Sequence, residues 1–329
     1  MAFSFCSAKT LAIFFLISAV PVAFIISLEL AKPATHVYHY HSANHVCETA
    51  KWDEVGRRFF LSFLDGGVGQ VSVPDDYSPG TLLEEVKVIE EIDVAGNSSM
   101  GIIIDRPRNR LVVAFSDVLG FKYNAIAAYD LSTWKRLFLT QISGPSDEKS
   151  LADDIALDEE GNAYVTDVIG NKLWKIGVNG EFLSIIRSPL FSAKKWYRNL
   201  LGLNGIVYHP DGYLITIHMF TGTLIKVDVS KGSVEDVKIK VIKVSGGSLF
   251  LGDGLLLLSP TKLVIVGNPA TKLLESSDGW ETASIVSKFN GLSHRVATAA
   301  TLKDDKVYLS HVFGMGFPKK KHALVEAVF

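Results

Sequence analysis

Cysteine is nearly missing from this chain of 329 residues, which carries only Cys6 and Cys47. That excludes a disulfide-stapled scaffold and a thiolate metal centre, both of which need several cysteines at defined spacing. Excess charge of either sign is missing as well. The 33 Lys and Arg stand against 35 Asp and Glu, a formal net charge of -2. With no global field to draw a polyanion, no nucleic-acid partner is expected. The repeating body of the chain also lacks a 3.6-residue apolar periodicity, which removes helical solenoids. Gly66-Gly67-x-Gly69 has no following helix or lysine and reads as a hairpin, not a phosphate loop.

What is present starts with an uncharged apolar run, Leu11 to Leu28, behind Lys9. A run of about 18 residues suits either a cleaved signal peptide or a retained signal-anchor, so residues 1–32 are assigned to one or the other. Either way the chain is expected in the secretory pathway, extracellular or in a vacuolar or other lumen, with membrane anchoring through residues 11–28 in the second case. Cys6 lies ahead of the run, so no intrachain disulfide is expected and Cys47 is read as a buried free thiol, with intermolecular pairing as the lesser alternative. Asn97-Ser98-Ser99 is a glycosylation sequon, usable if it lies on an exposed loop. Nearly half of the residues are apolar, enough for a large core.

From residue 46 onward one phrase recurs about every fifty residues. A polar or Gly-containing entry leads to an alternating apolar strand, a turn, and a second strand ending in Ser, Thr, Asp or His. The six copies start at Cys47, Ser99, Ala152, Leu203, Gly252 and Arg295. Third strands follow as NAIAAYDL from Asn124, NKLWKI from Asn171, GTLIKVDV from Gly222 and ALVEAVF at the C-terminus. Short alternating strands joined by Asp-Gly and Glu-Gly turns predict an all-β, six-bladed β-propeller over residues 46–329. Its blades are expected to be four-stranded and antiparallel, and a hydrophobic N-terminal helix precedes them.

In a propeller the innermost strands line a central channel, so equivalent entry residues converge. Those positions carry Glu48, Ser99, Asp153 with Asp154, Asn204, Asp253 and, with less definition, the stretch from Arg295 to Thr298. Each residue alone could be a turn or surface group. Carboxylates gathered in a narrow space repel each other unless a cation neutralises them. The donors are oxygen only, which points to a hard ion such as calcium. His218 and His311 end strands near this region, as structural hydrogen bonders or as groups that shape a substrate site. Lys319-Lys320-Lys321 reads as a solvated turn, with contact to an anionic surface as the lesser alternative.

These residues resemble the SMP-30/gluconolactonase/calcium-dependent phosphotriesterase superfamily, in its plant-type six-bladed form. The resemblance rests on E-x-x-x-W-D at Glu48 to Asp53, DDIALDEEGNAYVTD from Asp153, NGIVYHPDG from Asn204 and DG at Asp253. It implies Glu48, Asn204 and Asp253 as metal ligands, with Asp253 also catalytic as general base. Asp153, where the family often has Asn, is a further ligand. The implied function is calcium-dependent hydrolysis of a small-molecule lactone or ester, or of a phosphotriester. The alternative is a non-catalytic binding module with a structural central ion. The chain is also similar to strictosidine synthase, but RVATAATLKDDKVYLSH lacks a glutamate at the channel strand, which disfavours that reaction.

Overall fold

The computed structural model describes residues 8–91, 98–230, 237–292 and 294–329, with side chains from Phe15 onward. Cys6, Lys9 and the sequon asparagine Asn97 lie outside the described side chains. The apolar run forms the helix Ala8–Leu30. Among the described residues, no helix is long and apolar enough to cross a membrane.

Among the described residues, the regular structure after the helix is all β-strand apart from short 3-10 turns. The strands assemble into five sheets: three of four strands, one of eight in which two antiparallel four-stranded units join through a parallel pairing of Lys243–Ser245 with Thr282–Ser284, and one of five in which Leu82–Glu84 adds in parallel to the edge of a four-stranded unit. The innermost strands are Cys47–Asp53, Ser98–Asp105, Ala152–Leu157, Leu203–His209, Gly252–Ser259 and Ala297–Lys303. Each contacts the next, and the last contacts the first. This is the architecture of a β-propeller.

Val37–Ser42 is the fourth strand of the sixth unit, pairing antiparallel with Lys320–Ala327 on one edge and parallel with Leu82–Glu84 on the other. The sheet therefore reaches back beyond residue 46 and ties the start of the chain to its end. The segment after Pro74 contributes the outer strands Leu82–Glu84 and Val86–Ile89.

Burial explains the residue pattern. Middle strands such as Arg110–Ser116 and Tyr213–His218 are buried at every position, because both sheet faces pack on neighbouring units. Phe60 of the first unit, for instance, shares a core with Ile102, Leu111 and Val113 of the second. Outer strands are more exposed, and Thr282–Phe289 keeps a true alternation. Each fully buried Phe, Leu or Ile contributes roughly 1.5–3 kcal/mol, so most of the stabilisation lies between units. Cys47 is among the fully buried residues and is a free thiol, its Sγ donating to the Thr49 carbonyl at 3.8 Å. Burial pushes its thiol up to about 12.

The second to fifth units follow one path, from the innermost strand outward to the fourth and back by a loop to the next innermost strand; the first does so with a detour through Leu82–Glu84, and the sixth takes its fourth strand, Val37–Ser42, from the start of the chain, which then leads into the first innermost strand. Loops entering the innermost strands, and loops joining second to third strands, must therefore share one face, called here the entry face.

Candidate functional site

A β-bulge interrupts the pairing of each innermost strand just after its first paired residue, or after its second in the second unit: Cys47/Ala50, Ser99/Ile102, Ala152/Ile155, Leu203/Ile206, Gly252/Leu255 and Ala297/Ala299. A bulge leaves extra residues without a partner and re-aims their side chains. The residue after the bulge start is Glu48, Met100, Asp153, Asn204, Asp253 or Thr298. The same local distortion repeated around the channel thus sets one ring of side chains at the entry-face end.

Glycine lets adjacent bulges touch. A Cβ on Gly254 would come within 2.6 Å of the Thr298 carbonyl oxygen, and one on Gly101 within 2.5 Å of the Asp153 carbonyl oxygen. A Cβ on Gly205 would overlap the Asp253 carbonyl. Elsewhere polar side chains make the join. Thr298 Oγ1 donates to the Glu48 carbonyl at 2.6 Å. The Ile206 amide donates to Asp154 Oδ2 at 3.3 Å.

Glu48, Asp153, Asn204 and Asp253 thus occupy equivalent places. Ser99 does not: it accepts from the Phe63 amide and donates to the Phe63 and Gly67 carbonyls. It belongs to the seam between the first two units, and Met100 takes the ring position there. Asp154 also departs from the ring. Its carboxylate accepts the Ile155 and Ile206 amides and faces the charge of Lys51 further along the channel.

The electrostatics follow from burial and like charge. Burial, then the charge of Asp154, pushes Glu48 up to about 7. Asp253 is raised well above the usual carboxylate range by burial and by Glu48, Asp153 and Asp154, opposed by a hydrogen bond from Asn204. Asp153 is raised by burial, Glu48 and Asp154. Each acid is costly to ionise beside the others. This all-oxygen donor set fits a hard divalent cation. The spacing is not that of a finished cluster, since among the described residues no three Asp, Glu, His or Cys side chains come together as ion ligands.

Beyond the acids the channel turns apolar. A cavity of about 310 Å³ is lined by Ile103, Ile155, Ile206, Leu255, Lys51 and Thr301. The strand-end histidines are buried. His218 Nε2 lies 3.3 Å from Asn199 Oδ1, and burial lowers its pKa. Burial and the nearby Arg295 bring His311 down to about 4. Arg295 is turned away from the channel: its Nε and Nη2 bind the two Glu29 carboxylate oxygens at 2.5 and 2.7 Å, and His294 Nε2 meets the same carboxylate at 2.6 Å. Nothing in the sequence marked Glu29 as a partner for residues so far along the chain.

Fold and site together define a β-propeller with an acidic ring at one end of its channel. No protein-family model matches the chain, and no curated protein does. Solved structures do match. The Malassezia sympodialis allergen Mala s 1 aligns with TM-score 0.67 at 15% identity, over 91% of this chain and 97% of the allergen. A luciferin-regenerating enzyme aligns with TM-score 0.57 at 12% identity, over 87% and 94%. Virginiamycin B lyase from Staphylococcus aureus aligns with TM-score 0.52 at 10% identity, over 89% and 100%. All three are β-propellers, and likeness at this identity establishes the fold alone.

Proposed function

We propose that the chain is a closed six-bladed propeller of the SMP-30/gluconolactonase type, a calcium-dependent hydrolase of lactones or esters in the secretory pathway. The observation that carries this is the ring itself: Glu48, Asp153, Asn204 and Asp253 on equivalent bulges, with all three acids pushed toward protonation and no basic side chain among the ring positions. The two enzymes among the structural neighbours make a catalytic propeller reasonable but do not decide its substrate.

In this reading Glu48, Asp153, Asn204 and Asp253 hold the ion, with side-chain rotation on a fixed backbone ring bringing the oxygens inward. The bound cation would polarise the substrate carbonyl. Asp253, its proton affinity raised by burial and neighbouring acids, accepts a proton from water as the water oxygen bonds to the carbonyl carbon. When the acyl carbon–oxygen bond breaks, that proton passes to the leaving alkoxide. Asn204 orients Asp253 through their hydrogen bond.

A second reading, a binding module with a structural ion, draws on Asp153, which stands where the resembled enzymes often have Asn. Turnover of a lactone and aryl-ester panel, with calcium or chelator, separates the two. Hydrolysis that requires calcium and is abolished in a folded Asp253→Asn variant supports the enzyme. Hydrolysis unchanged in that variant refutes the assignment of Asp253, and no turnover in the wild type with calcium-dependent folding favours the binding module.

A further inference from the structure

Large apolar side chains left in solvent concentrate on the entry face. Leu119 is 91% exposed in the loop between the second and third strands of the second unit. Phe317 is 90% exposed in the corresponding loop of the sixth unit, with Phe313 beside it. Trp196 is 76% exposed in the loop leading into Leu203–His209, flanked by exposed Leu190, Tyr197 and Leu200. Phe250, exposed in the next entering loop, lies 6.1 Å from Phe220.

The Trp196 loop is basic. Lys194, Lys195 and Arg198 surround Trp196 and are all exposed. Among the described residues none of these three is ion-paired. Lys122 is exposed near Leu119, and Lys319 follows Phe317, its charge shared with Glu84 at 2.6 Å.

The Trp196 loop is built to hold this display. Asn199 accepts from the Ala193 amide at 2.7 Å and donates to the Ala193 carbonyl at 2.9 Å, closing the loop on itself. The same Asn199 side chain meets His218, whose strand neighbours that of Asn204. Trp196 and Tyr197 stand edge to face at 6.2 Å.

We infer that the entry face docks on an anionic lipid surface, with Trp196, Phe317 and Leu119 entering the headgroup layer and Lys194, Lys195 and Arg198 meeting the lipid charge. Indole and phenol rings with mixed polarity belong at that boundary, and interleaved cations distinguish it from an ordinary apolar protein contact. The Glu29–Arg295 pair holds the C-terminal end of the apolar helix to a loop of this same face, so helix and loops can engage one membrane together. This inference is independent of the hydrolase reading, because its test reads lipid contact and not turnover.

The test mixes the full chain with vesicles of phosphatidylcholine, alone or with about 30% phosphatidylserine, some carrying brominated acyl chains. Sedimentation reads binding and tryptophan quenching reads depth. The expected result is phosphatidylserine-dependent, salt-sensitive binding, with quenching that Trp196→Phe largely removes. Lys194→Ala with Lys195→Ala should weaken partitioning roughly 25-fold, about fivefold for each surface cation removed. Equal binding by the wild type and the lysine variant would show that the helix alone carries the chain to lipid and would overturn the proposal. So would concentration-dependent self-association through this face with no response to phosphatidylserine.

Discussion

Removing calcium should make the protein less stable as pH rises from 4.5 to 7, the reverse of the usual behaviour of a carboxylate held by a partner. Unfolded, Glu48 ionises near 4.5; folded and without an ion, it ionises near 7. Between those values the folded state binds the extra proton, so each step up in pH favours the unfolded chain. Below 4.5 the penalty vanishes, and above 7 it is fully present. The difference corresponds to about 3 kcal/mol for Glu48 alone, on the order of 6 °C in Tm for a domain of this size. Asp153 and Asp253, raised for the same reason, add in the same direction. The assay is thermal unfolding of chelator-treated protein across this range, beside Glu48→Gln and beside calcium-loaded protein. Glu48→Gln should lose most of the Glu48 share of the slope, and calcium should remove the decline. A flat profile in the chelated wild type, or an unchanged slope in Glu48→Gln, would refute the account of the acids as an uncompensated buried ring.

Gly205→Ala should cost on the order of 2 kcal/mol and impair ion binding, because its Cβ meets the Asp253 backbone, which cannot yield as a side chain can; chemical denaturation and calcium titration check both. Cys47 should resist thiol reagents in the native protein and react only on unfolding, its thiol being buried and held near 12; a fast native-state reaction would contradict the packing. Glu29 is pushed up by burial, but Arg295 and His294 outweigh that and bring it down to about 2. Its contribution is therefore present above about 4.5 and lost only as pH falls toward 2. Glu29→Gln should release the end of the helix, seen as faster proteolysis before Val37 at neutral pH.

The acids of the ring were legible because a repeat converts separate, individually weak signals into equivalent positions. Asp253-Gly254 alone is a turn dipeptide, but beside Asn204-Gly205 in the same place of another repeat it becomes a ring member. Ser99 shows the limit. The bulge displaces the ring position by one residue, and a serine one step earlier fits the written pattern while its hydroxyl closes a seam between units. Val37–Ser42 was invisible as a strand because its partner, Lys320–Ala327, lies at the other end of the chain and no local pattern announces that pairing. KKWYR reads as a charged spacer in one dimension. Only the path of the strands places it on the same face as Leu119 and Phe317.

Calcium calorimetry on the chelator-stripped full chain, wild type against Asp253→Asn, tests the central claim most directly. The account predicts saturable binding at one site in the wild type, lost or greatly weakened in a variant that remains folded. Wild-type protein that binds no calcium, or a variant that binds it equally well, would contradict the assignment of this ring as the ion site.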